Sequence, residues 1–305
     1  MSDRLPPTRR GALLLLALVA TGSLLAACGG GSSAGTATTA GTASTVKPTR
    51  TYAGPAGLSG GGQPQPDGFM WLLARMGGAA DIQQLNLTTG SIGQIIPVTA
   101  GANSISQSPS GVIGVGVATA LTGALELRNG ASGALVATVP IGAPVKDVYA
   151  GADGTTFYVL NGTTSSASVT LVNSGTDRAS VSVPVPLDTV AVAVDPSGQN
   201  LFAVGSGGKV DQITIGSGAV TASYPVGHDP IAVAVSTSGS TLYVLNTVGA
   251  GANVGVIDVA TEAQTKVLPA PADSVAVQVS PDGGSLYVVV GTPTVGNVQV
   301  YAIAP

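Results

Sequence analysis

Residues 231–261 read IAVAVSTSGSTLYVLNTVGAGANVGVIDVAT. An apolar run, Ile231 to Val235, stops at the Thr237-Ser238-Gly239 turn; a second run, Thr241 to Leu245, follows, and a glycine-rich link leads to a third, Val254 to Val259. Short runs of β-branched and apolar residues broken by turn residues are the mark of antiparallel strands, because a helix needs a longer run at a 3.6-residue period. Alternating Ala and Val in the first run suits a strand buried on both faces, where small side chains let neighbouring backbones approach.

The unit recurs. Its turn glycine ends Pro66-Asp67-Gly68, Pro109-Ser110-Gly111, Ala152-Asp153-Gly154, Pro196-Ser197-Gly198, Thr237-Ser238-Gly239 and Pro281-Asp282-Gly283, at spacings of 43, 43, 44, 41 and 44 residues. Gly90, Gly133, Gly175 and Gly218 mark a second turn in the first four units, and Tyr158, Phe202, Tyr243 and Tyr287 stand four residues after the turn glycine in the last four. A fixed period of this length with four strands in each repeat is that of β-propeller blades. The sequence therefore predicts an all-β chain with a single β-propeller of six four-stranded blades over residues 51–305. The last unit stops after its third strand, whereas Thr49 to Tyr52 precede the first unit without a repeat of their own. An N-terminal strand carrying Thr51 and Tyr52 is expected beside Val298 to Ile303, closing the ring and covering sheet edges that otherwise template aggregation. A seventh blade would need about 43 further residues, and the sequence upstream is of low complexity. A flatter β-sandwich or a parallel β-helix fits four-stranded units of this period less well.

The first 28 residues read as an address. Arg4, Arg9 and Arg10 precede an apolar stretch from Gly11 to Leu25, too short for the roughly 20 residues of a bilayer span. Leu25-Ala26-Ala27-Cys28 follows, and the whole resembles a bacterial lipoprotein signal with its lipobox. The resemblance implies that Cys28 is acylated and becomes the new N-terminus, holding the protein at a membrane of the bacterial cell envelope and facing outside the cytoplasm. Twin-arginine export is the alternative reading of Arg9-Arg10. Residues 29–50, nearly all Gly, Ser, Ala and Thr, have the composition of a flexible linker, unable to bury enough surface to offset the entropy of ordering.

Composition excludes several chemistries. Only 9% of the 305 residues are charged, with 11 Lys and Arg against 15 Asp and Glu, so the basic surface of a nucleic-acid partner is missing. One Cys excludes internal disulfides, and one His excludes multi-histidine metal centres.

Tyr243-Val244-Leu245-Asn246, preceded by Ser236-Thr237-Ser238-Gly239 and followed by Val254 to Thr261, resembles the YVTN-repeat β-propeller family, as does Ser280-Pro281-Asp282-Gly283 with Leu286-Tyr287-Val288. The resemblance is close over 140–305 and weaker over 51–139, where Leu72 and Val115 replace motif residues. It implies a propeller, but members include surface-layer and secreted binding proteins and relatives similar to lactonases, so the fold alone selects no activity.

Asp188, Asp229 and Asp273 lie ten residues before the turn glycines of units four to six, at the start of each innermost strand. With Asp147, Lys146 and His228 they would form a partial acidic arc at the mouth of the central channel. Such an arc suits a cation, calcium being the chemical choice for oxygen ligands, or a cationic or polyhydroxyl ligand. Each Asp could equally cap its own loop. No Asp-x-Asp-x-Asp loop supplies the six to eight oxygens calcium takes, so no metal site and no cofactor are assigned. His228 beside Asp229 could act as a general acid or base, or stand solvated on its loop. Met70 and Trp71 are expected to pack between blades, and no Gly-x-Ser-x-Gly elbow is present. Two functions remain: a non-catalytic scaffold binding a protein or small-molecule ligand, or a lactonase-like or sugar-acid hydrolase using the channel-mouth carboxylates.

Overall fold

The structure is a computed structural model and describes residues 46–303. Cys28, the signal segment and most of the expected linker lie outside the described residues. After β1 (Arg50–Gly54), the first blade is β2 (Leu58–Gly61), β3 (Phe69–Met76), β4 (Ala79–Asn86) and β5 (Ile92–Val98). The second is β6 (Ala102–Gln107), β7 (Val112–Ala118), β8 (Gly123–Asn129) and β9 (Leu135–Pro140); the third is β10 (Val145–Ala150), β11 (Thr156–Gly162), β12 (Ala167–Asn173) and β13 (Arg178–Pro184). The fourth is β14 (Thr189–Val194), β15 (Asn200–Gly205), β16 (Lys209–Thr214) and β17 (Ala219–Pro225), and the fifth is β18 (Pro230–Val235), β19 (Thr241–Val248), β20 (Gly251–Asp258) and β21 (Ala263–Ala270). The sixth takes β22 (Ser274–Val279), β23 (Ser285–Gly291) and β24 (Gly296–Ala302) and completes itself with β1. Innermost strands β2, β6, β10, β14, β18 and β22 each touch the next, and β22 touches β2. The result is a six-bladed β-propeller, as the period predicts. Among the described residues no helix is long and apolar enough to cross a membrane.

Each blade is a meander because its turns fit hairpins. All six repeated turn glycines, Gly68 to Gly283, have φ between +71° and +85°, a region closed to most side chains. At the second turn Gly90, Gly133 and Gly218 take positive φ, but Gly175 does not. In the third and fifth blades the left-handed residue is Asp177 (φ 54°) and Glu262 (φ 57°), four residues after the end of β12 and β20.

The core lies between blades. Trp71 and Met70 are fully buried, and the Trp71 indole N–H donates to Gly130 O of the second blade at 3.1 Å. Buried motif asparagines stitch neighbouring strands: Asn161 Nδ2 donates to Val159 O (2.9 Å) and Thr170 Oγ1 (2.8 Å), and Asn246 Nδ2 to Val244 O (3.1 Å) and Asn253 Oδ1 (3.2 Å). Their amide donors therefore serve the sheet, bonding buried acceptors within the blade, although Asn246 Oδ1 is left without a partner among the described residues.

The N-terminal strand closes the ring. β1 runs antiparallel to β24, pairing Arg50 with Val300, Thr51 with Gln299 and Tyr52 with Val298. Tyr52 is buried in the seam; its hydroxyl donates to Leu87 O, and Arg50 Nη1 donates to the Tyr52 hydroxyl (2.9 Å) and to Leu87 O (3.2 Å). Residues just before β1, at the end of the expected linker, also dock. Thr49 N and Oγ1 both donate to Val300 O, at 2.7 and 3.0 Å, and Val46 packs against the cluster containing Tyr301 and Ile303.

Candidate functional site

The site is built by one irregularity repeated six times. In every blade the pairing of the innermost strand with its neighbour slips by one residue, leaving Ser59, Asn103, Lys146, Val190, Ile231 and Val275 unpaired. A β-bulge breaks strict alternation and bends the strand. Here it brings all six residues onto the wall of an axial cavity of about 150 Å³, together with residues that follow them, such as Asp147, Ala191, Ala232 and Ala276.

The wall has two unlike halves. Blades one to three contribute Ser59, Asn103, Ser104, Lys146 and Asp147; blades four to six contribute Val190, Ile231 and Val275 backed by alanines, with Gln278 the one polar side chain of that half. Asp147 is deep in the ring yet borders the cavity. Its Oδ2 accepts from Val192 N (3.0 Å) across the blade boundary and its Oδ1 from Val148 N (2.9 Å). Burial pushes this carboxyl up to about 7, against the pull of those two backbone donors, and no charged neighbour contributes. Lys146 also borders the cavity, and among the described residues it forms neither an ion pair, with Asp147 or any other residue, nor a side-chain hydrogen bond. Tyr149 lies lower on the same wall, and its hydroxyl is pushed well above the ordinary range by burial, then by Tyr158 and Asp195. Asn103 Oδ1 and Ser104 Oγ are buried and accept no hydrogen bond among the described residues.

The structure thus brings Lys146 and Asp147 together on the channel wall and leaves the other sequence-predicted residues on surrounding loops. Asp188 accepts a long bond from Gly207 N (3.4 Å) on its own blade, while Asp229, Asp273 and His228 are exposed. The three Asp positions share a backbone role. Their carbonyls accept from Ser206 N, Thr247 N and Gly291 N, as Gly57, Gly101 and Pro144 carbonyls do from Arg75 N, Ala118 N and Gly162 N in the first three blades. No three His, Cys, Asp or Glu side chains converge as a cation cage requires among the described residues. Sequence reasoning missed Ser59 and Asn103. Their signal was present, since both stand at the repeat position of Lys146, at intervals of 44 and 43 residues.

Two other openings flank the channel. The tight-turn mouth is an uncharged cavity of about 220 Å³, rimmed by Pro64, Pro66, Pro109, Pro196 and Pro281 with Gln63, Gln107 and Gln278. On the opposite face a groove of about 600 Å³ runs beside blade one over Gly57, Gly77, Gly78 and Gly101, with Arg75 as its one charged side chain.

No protein-family model matches the chain, and no curated protein does. Among solved structures it is similar to the hydrazine synthase of Kuenenia stuttgartiensis, at 16% identity and a TM-score of 0.59 over 84% of this chain and 77% of that one. At that identity the likeness concerns the fold.

Proposed function

We propose that this chain is a lipid-anchored, extracytoplasmic member of the YVTN-repeat propellers that binds a ligand at the bacterial cell envelope without transforming it. The observation that carries the binding role is the axial cavity, whose ring of six bulged residues presents a polar half facing an apolar half. Ligand sites combine apolar walls with a few placed polar groups in this way. The lipobox ending at Cys28 supports the anchor, and the repeats around Tyr158, Tyr243 and Tyr287 support the lineage. A second reading, a lactonase-like or sugar-acid hydrolase, draws on Asp147, a carboxyl titrating near neutrality beside the cavity. Against it stands the lack of a nucleophile paired with a base on that wall.

The test is the unfolding midpoint of the full chain in detergent against calcium, lactones, sugar acids, amines and amino acids. A ligand held at 100 times its Kd adds about 2.7 kcal/mol. The shift is expected to vanish in Ala232→Trp, which fills the channel. Turnover of a lactone that disappears in Asp147→Asn would replace binding with hydrolysis. For the anchor, fatty-acid labelling of the chain in a bacterial host should be lost in Cys28→Ser.

A further inference from the structure

We infer that the axial cavity is a site for a small zwitterion with an apolar flank, an apolar α-amino acid being the chemical class that fits. The inference rests on the channel being the ligand site and deepens it. Lys146 and Asp147 are adjacent in sequence, and strict strand alternation would send them to opposite faces. The bulge at Lys146 places both on the cavity wall. They are the opposite charges of that wall, yet they do not pair with each other or with any other described charged group. A cationic and an acidic side chain that border one confined space without pairing are complementary to a ligand that carries both signs itself. Its carboxylate would meet the Lys146 ammonium, and its ammonium the lone pairs that Asp147 has left after accepting from Val148 N and Val192 N.

Three further observations narrow the class. The Asn103 side chain reaches across to blade three, its Nδ2 donating to Val145 O at 2.6 Å, so it adds a polar residue to the same half of the wall as Lys146 and Asp147. Val190, Ile231 and Val275 line the other half; its one polar side chain, Gln278, already donates to Gly61 O, so this surface would leave most hydroxyls of a sugar unsatisfied. A volume of about 150 Å³ lies below the roughly 300–1,000 Å³ of sites for drug-sized molecules, which limits the ligand to a few heavy atoms.

The experiment titrates the full chain in detergent with L-leucine, 3-methylbutylamine, isovalerate and glycine, reading heat of binding and unfolding midpoint. Leucine is expected to bind roughly ten-fold more tightly than the amine or the acid alone, since each lacks one charge-assisted contact, and more tightly than glycine, which lacks the flank. Lys146→Gln should abolish the preference for leucine over the amine, and Asp147→Asn the preference over the acid. Because Lys146 is only partly buried and has no partner among the described residues, Lys146→Gln carries the test even if Asp147→Asn fails to fold. Leucine affinity should also rise between pH 6 and 8 as Asp147 ionises; Lys146 and Tyr149 also line the wall, and burial pushes the Tyr149 hydroxyl up and away from that range. Equal binding of leucine and isovalerate, or of leucine and the amine, overturns the proposal. Silence from all four, with another small molecule binding in a manner lost in Ala232→Trp, overturns the zwitterion while the channel stands as a site. No response to any small molecule overturns both.

Discussion

At the scale of single residues, two side chains sit where glycine belongs. Asp177 and Glu262 hold the left-handed position that Gly90, Gly133 and Gly218 hold in sister blades. A residue with a Cβ there costs roughly 1–2 kcal/mol, part of which glycine gives back through its greater freedom when unfolded. Glu262→Gly should therefore raise stability by about 0.5–1 kcal/mol and the melting temperature by roughly 2 °C; a fall in melting temperature would show that the Glu262 side chain contributes more than its backbone costs. Asp147 makes a pH-dependent contribution of definite sign. Its carboxyl titrates at 3.8 when unperturbed and at about 7 in the fold, so the folded chain holds an extra proton between those values. The stability it supports is full below pH 3.8 and is lost as pH rises through 7, by at most roughly 4 kcal/mol before screening by channel solvent is allowed for. Asp258 and Asp282, held low by the hydroxyls of Thr261 and Ser280, act in the opposite sense. The clean measurement is thus the difference in melting temperature between wild type and Asp147→Asn, which should move in favour of the variant from pH 5 to 8. A flat difference would return the carboxyl to its ordinary range.

At the scale of elements, β1 decides whether the sixth blade is complete. Tyr52 is its anchor, buried against Leu85 and Val298 with its hydroxyl bonded to Leu87 O of the first blade. Tyr52→Ala is expected to cost about 3–5 kcal/mol, as loss of a buried aromatic does, and Tyr52→Phe about 1 kcal/mol for the hydrogen bond. Denaturant midpoints with unchanged slopes would check both. A second buried device lies on β8. Arg128 Nη2 and Nε reach Glu126 Oε2 at 2.7 and 2.9 Å, Thr99 donates to the other carboxylate oxygen, and Arg128 Nη1 donates to Gly133 O at 3.0 Å. Removing one partner leaves a charge buried alone, so Arg128→Met should cost about 3–5 kcal/mol.

At the scale of the whole molecule, the ring has sixfold geometry and twofold chemistry. Every blade carries the same bulge at the same place, and small residues such as Ala191, Ala232 and Ala276 beside it keep the axis open; the residues at the bulge then make half of the wall polar and half apolar. Closure also has a consequence for association. A chain lacking residues 46–54 would expose the edge of β24 along Gly296–Ala302, and unpaired edges recruit other chains. Size-exclusion chromatography should find that truncated chain as oligomers and the intact chain as a discrete species. A monodisperse truncated chain would show that the edge of β24 protects itself.

Much of this architecture was legible in the sequence because it is set by local rules that repeat. Positive φ at Gly68, Gly111 and their successors forces a hairpin, apolar runs such as Ile231 to Val235 force strands, and a period near 43 residues forces blades. The segment around Thr51 and Tyr52 could be placed on the last blade because a three-stranded final unit leaves an edge to fill. The candidate site was legible only in part. Lys146 and Asp147 stood out as charges near the axis, but they ranked equally with His228, an exposed loop residue, and with Asp188, Asp229 and Asp273, whose shared feature is a carbonyl that serves the backbone. What separated the two groups was the bulge, a one-residue slip in pairing between strands. Register is a relation between segments, fixed by how six blades crowd one axis, and no single segment encodes it. The sequence by itself determined the ring, its turns and its closure; tertiary packing decided which residues face the channel and that their two opposite charges stand there unpaired.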